Sequence, residues 1–160
     1  MWQDVWSTVV SEFSDIPNAA QLTRISLRLL VAAALGGLLG YERELSGKSA
    51  GLRTHMLVAI GAALFVMIPH QAGASSSELS RVMQGLIAGV GFLGAGSIVV
   101  GTKEAEARGL TTAAGIWVTA AIGVAAGLGR ETTAVLSTVV ALLILSVVPW
   151  IFRMKKSPEG

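Results

Sequence analysis

Thr23 to Tyr41 reads TRISLRLLVAAALGGLLGY. From Leu29 onward this block carries no charge, and its length is close to the ~20 residues a helix needs to cross a bilayer core. In lipid a helix satisfies every backbone hydrogen bond within itself, so such a run has one ready structure. Four similar blocks follow, at about Thr54–Ile68, Val82–Gly101, Leu110–Leu128 and Thr132–Phe152. The second is short, and Pro69 is expected to stop it. The fold expected is all-α: a polytopic bundle of about five transmembrane helices occupying residues 21–153.

Composition supports this. Of the 160 residues, 52% are apolar and 14% charged, and mean hydropathy is +0.67. A soluble domain carries roughly 25% charged residues, so too little polar surface is available for an ordinary soluble enzyme. There is no cysteine, which excludes disulfides, thiolate metal sites and cysteine nucleophiles. His55 and His70 are the two histidines, and no triad or paired-carboxylate pattern is present, so no enzyme is expected. The net charge is +2, and the basic residues flank apolar blocks, which sets orientation and does not build a nucleic-acid surface.

Residues 1–20 lack the basic start and apolar core of a signal peptide. Trp2, Val5, Trp6, Val9, Val10 and Phe13 recur at helical spacing opposite Asp4, Ser7, Ser11 and Glu12. That pattern suits a short interfacial helix, the bland alternative being a frayed leader. Residues 154–160 form a basic tail. Arg43, Lys48, Arg53, Lys103, Arg108, Arg153, Lys155 and Lys156 lie on one side of the bundle, against Arg24, Arg28, Arg81 and Arg130 on the other. The richer side is expected in the cytoplasm, with the N-terminus outside and the C-terminus inside.

A shift of 58 residues aligns Leu35-Gly36 with Leu93-Gly94, Gly51-Leu52 with Gly109-Leu110, and Thr54 with Thr112. This suggests a parallel two-helix repeat followed by an added fifth helix, the alternative being coincidence in an Ala-, Gly- and Leu-rich chain. Many of the 19 glycines make small-residue faces, such as Gly36 with Gly40, Gly85 with Gly89, and Gly123 with Gly127. Such faces let helices approach closely and would allow a homodimer. The run GVGFLGAG, which holds Gly91, Gly94 and Gly96, is expected to pack tightly, a glycine-lined cavity or gate being the alternative.

Ionisable groups at membrane depth are functional candidates by default. Arg28 and Glu42 are fourteen residues apart, nearly four turns, and so share one face. That face is a candidate polar seam. Snorkelling is the bland role for Arg28, whose expected ion-pair partner is Glu78 or Glu131. The stretch Glu42-Arg43-Glu44 up to Arg53 is the densest charge cluster. It is either a solvated turn or a site where Glu42 meets a cation such as Mg²⁺ or pairs with Arg53 or Arg108. Gly51, Thr54 and His55, and likewise Gly109, Thr111 and Thr112, open helices. Their hydroxyls are expected to cap free N–H groups, and His55 to sit at the interface.

Leu39 to His55, Arg81 to Gly96 and Ala107 to Trp117 together resemble the MgtC/SapB family of bacterial inner-membrane proteins. The resemblance implies about five membrane helices and a role in magnesium homeostasis, Mg²⁺ being the ion concerned. It implies recurrent polar positions at Glu42, Arg43, Glu44, Gly51, Arg53, Thr54, Arg81, Arg108, Thr111 and Thr112, with Glu78 standing where an aspartate is usual. Many members continue into a cytoplasmic domain, which this sequence, ending at Gly160, is expected to lack. Two functions follow from the resemblance. One is Mg²⁺ transport through a path containing Glu42. The other is regulation by binding membrane proteins such as the F-type ATP synthase. Binding of lipid headgroups at the helix starts and basic inner loops is a third, weaker reading.

Overall fold

The computed structural model describes residues 1–14, 18–100 and 107–155. Its helices are α1 (Trp2–Glu12), α2 (Ala19–Leu45), α3 (Leu52–Gln71), α4 (Ser76–Gly96), α5 (Leu110–Gly127) and α6 (Glu131–Lys155). Five of them, α2 to α6, are long and apolar enough to cross a membrane. A two-residue antiparallel ladder, β1 (Val99–Val100) with β2 (Ala107–Arg108), closes the approach to α5. Gly101, Lys103, residues 15–17 and the tail beyond Lys155 lie outside the described residues.

Two boundaries depart from the hydropathy reading. Pro69 lies inside α3, which runs on to Gln71 before Gly73 turns the chain at φ +83°. A proline one turn from a helix end removes few bonds, so it does not act as the stop. The third span begins at Ser76 and ends at Gly96, five residues short of the expected Gly101. Ser75 and Glu78 form a reciprocal capping box that starts α4 ahead of its apolar stretch, a polar signal that hydropathy does not register.

Helix α3 is the hub. Gly36 of α2 lies against the His55 carbonyl and Ala59, and Gly40 against Gly51 and Leu52. The paired numbers run in opposite directions, so α2 and α3 are antiparallel. Gly123 and Gly127 of α5 lie against Ala59 and Ala63, with numbers rising together, so α3 and α5 are parallel. Each glycine lets two backbones meet where a methyl group would collide. The core between them holds Ala32, Leu35, Leu39, Ala59, Ala63, Ile122 and Ala126.

The glycine-rich end of α4 behaves differently from the expected tight packing. Gly94 touches Ala113, whereas Gly85, Gly89, Gly91 and Gly96 have open space where a side chain would stand. Helix α1 buries none of its residues, and Trp2, Trp6 and Phe13 are exposed.

Candidate functional site

Two polar clusters sit at opposite ends of the bundle. The first gathers where α2 ends and α3 and α5 begin. Arg43 is 3% exposed, and its guanidinium grips the Oε2 of its sequence neighbour Glu42 through both Nε and a terminal nitrogen. Ser46 Oγ donates to the other carboxylate oxygen at 2.9 Å. Both oxygens of Glu42 are thus engaged. Adjacent helical residues point in different directions, and the pair forms because the long arginine side chain folds back along the helix.

His55, one turn into α3, is completely buried. The turn of α3 faces it inward, beneath Gly36 and Gly40 of α2. Its Nδ1 donates to the Gly51 carbonyl at 3.0 Å, and its Nε2 has no partner among the described residues. Gly115 of α5 gives the ring room: a methyl group there would stand 3.4 Å from Nε2 and 3.9 Å from Arg43 Cδ. Thr112, one turn earlier on α5, is buried as well. Gly115 and Ser46 are site residues that sequence reasoning missed. Gly115 had a signal, since Gly115, Thr119, Gly123 and Gly127 recur every four residues and all are buried.

Helix starts at this end are capped otherwise than expected. The Leu52 N–H donates to Glu44 Oε2 at 2.9 Å, so a carboxylate from the preceding turn caps α3 in place of Thr54, which is exposed. Gly109, at φ +97°, starts α5 without a side-chain cap. It takes that backbone shape where Ser97 presses close, which only glycine allows. Thr111, Arg53 and Arg108 are exposed.

The second cluster lies at the far end. Arg28 donates to the Gly127 carbonyl at 3.1 Å and stands 3.9 Å from Glu131. It satisfies the end of α5 and joins it to α6, which places Glu131, not Glu78, as its partner. Glu78 is committed to Ser75, and Arg81 is exposed on the next turn.

The face between Arg28 and Glu42 is not polar. It carries Ala32, Leu35 and Leu39, all buried in the apolar core. Thr119 and Thr138, also buried, return their hydroxyls to the carbonyls of Gly115 and Ala134 in their own helices. As a magnesium ligand set the first cluster fits poorly. Mg²⁺ asks for oxygen ligands in octahedral array, whereas Glu42 is bound to a guanidinium, and the described residues hold no group of three acidic or histidine side chains suited to a metal.

Comparison with known proteins gives a consistent picture. The model of the MgtC family matches residues 29–154. Protein SrpB of Synechococcus elongatus is 46% identical over 133 residues, covering 76% of this chain and 73% of SrpB. "Putative magnesium transporter YhiD" of Escherichia coli K12 is 43% identical over 128 residues, covering 76% of this chain and 59% of YhiD. Protein MgtC of Brucella abortus is 45% identical over 114 residues, covering 71% of this chain and 46% of that protein. The chain thus spans about half the length of the latter two. No solved structure matches.

Proposed function

Because the chain belongs to the MgtC family, we propose that it serves magnesium homeostasis in the bacterial inner membrane by engaging other membrane proteins, without carrying the ion itself. The apolar core carries this reading. Between the Arg28 and Glu42 clusters, Ala32, Leu35 and Leu39 pack against Ala59, Ala63, Ile122 and Ala126, which offers a hydrated cation nothing to bind. Arg43 and Ser46 already occupy the carboxylate of Glu42, and that of Glu44 caps the start of α3. The open glycine face of α4, Gly85 with Gly89, is where a partner helix or a second copy would pack. The side rich in Lys and Arg faces the cytoplasm in this reading, and α1 lies on the outer membrane surface with its tryptophans at headgroup level.

The second reading is Mg²⁺ transport. The name of YhiD favours it, as does the partial exposure of Glu42 at the rim. Flux decides between them. The whole chain is reconstituted in proteoliposomes with a Mg²⁺-sensitive dye inside, beside Glu42→Gln. Flux no higher than in empty vesicles, from protein shown to be folded and inserted, is the result expected. Flux that Glu42→Gln abolishes would overturn the regulatory reading and put Glu42 on the path.

A further inference from the structure

At the end of the bundle opposite Glu42 there is a cavity of about 250 Å³ lined by Gln21, Arg24, Arg28, His70 and Gln71. Every lining residue is polar. Gln21, Arg24 and Arg28 are spaced three and four apart, so they form one stripe along α2, and His70 and Gln71 face them from the last turn of α3.

One of these donors is arranged in advance. Arg28 is fixed by the Gly127 carbonyl and by Glu131. Gly129 lies so close that a methyl group there would stand 2.9 Å from the Arg28 Cζ. A guanidinium has five N–H donors, and these contacts use few of them. Arg24, one turn away, makes no hydrogen bond or ion pair with any described residue. Two guanidiniums line the cavity and no carboxylate does, Glu131 standing beside Arg28 only, so the cavity attracts anions and repels Mg²⁺. A water occupies ~30 Å³ of liquid, so the space holds several waters or one oxyanion.

We propose that this cavity is a binding site for a phosphate group, held by Arg24 and Arg28 with His70, Gln21 and Gln71 completing the donor set. The group belongs either to a phospholipid headgroup or to a free phosphate. The site is independent of the magnesium reading, since it lies about 21 Å along α2 from Glu42 at 1.5 Å per residue.

The test uses the whole chain in phosphorus-free detergent. Inorganic phosphate is titrated by calorimetry, and phosphatidylglycerol retention is read by native mass spectrometry. Arg24→Gln and His70→Ala are compared with Arg130→Gln, an exposed arginine at the same end but outside the cavity. Loss of one charge-assisted hydrogen bond should weaken binding about tenfold or more. Phosphate affinity falling in the two cavity variants alone identifies a free-oxyanion site. Lipid retention falling in those two alone identifies a headgroup site. Absence of both kinds of binding, or equal losses in all three variants, overturns the proposal.

Discussion

Removing Arg43 should hurt more than removing Arg43 and Glu42 together. The pair sits in the first cluster, with side-chain exposures of 3% for Arg43 and 17% for Glu42. Breaking a fully buried ion pair costs ~3–5 kcal/mol, because the remaining charge is left uncompensated. Glu42 keeps some water, so Arg43→Met should cost less, about 2–3 kcal/mol. Glu42→Leu strands an almost fully buried guanidinium and should reach about 3–4 kcal/mol by the same reasoning. The double variant leaves no stranded charge and should cost only about 1–2 kcal/mol, mainly from lost packing. The cycle therefore predicts a coupling of about 4–5 kcal/mol between neighbours in sequence. Reversible unfolding in detergent, followed by circular dichroism for all four proteins, measures it. A coupling below ~0.5 kcal/mol would refute the pairing and release Glu42 for another partner.

The glycine seams give a second test. Gly123→Ala places a methyl group against the Ala59 backbone and should destabilise by about 1–3 kcal/mol, whereas Gly89→Ala enters open space and should be neutral or slightly stabilising. Equal effects in a thermal unfolding assay would contradict the α3–α5 contact. At the opposite end Arg28→Met should lower stability by roughly 1–3 kcal/mol, because the Gly127 carbonyl loses its donor, while exposed Arg24→Gln stays within ~0.5 kcal/mol. That difference separates Arg28, which also holds the fold, from Arg24, which is left to the ligand alone.

The spans were legible because hydrophobicity is a property of each residue, and five long apolar blocks in a chain with 14% charged residues leave too little polar surface for a soluble fold. Partners were less legible because they depend on how helices are rotated against one another. Gly36 with Gly40, Gly85 with Gly89, and Gly123 with Gly127 have the same spacing, yet the middle pair faces open space and the others form seams. Nothing local to α4 reveals that. The partner of Glu42 was hidden for a related reason: sequence spacing disfavours contact between adjacent helical residues, and only the burial of Arg43 beside α5 turns it back onto Glu42. The burial of His55 had a visible cue, since His55, Ala59, Ala62 and Val66 recur at helical spacing and all are buried.

The 58-residue echo reappears in space, and it shows which part of the chain departs from the scaffold. Helices α3 and α5 begin 58 residues apart, at Leu52 and Leu110, and run parallel. The contact of Gly36 with His55 has its counterpart 58 residues later, where Gly94 meets Ala113. The two units thus share a helix-on-helix contact, but where the first has histidine the second has alanine. An alanine at this position is therefore compatible with the packing. His55→Ala should lose the ring's contacts but also remove the unpartnered Nε2, whose burial costs ~1–3 kcal/mol. The net loss should be about 1 kcal/mol, well below the ~2–5 kcal/mol expected for Ile122→Ala in the apolar core. Stability of the two variants in detergent, set beside growth of a complemented bacterial strain at low Mg²⁺, tests the idea. A stable His55→Ala that fails to support growth would mark the histidine as kept for function. A loss of stability matching that of Ile122→Ala would make it an ordinary core residue and remove the main asymmetry between the units.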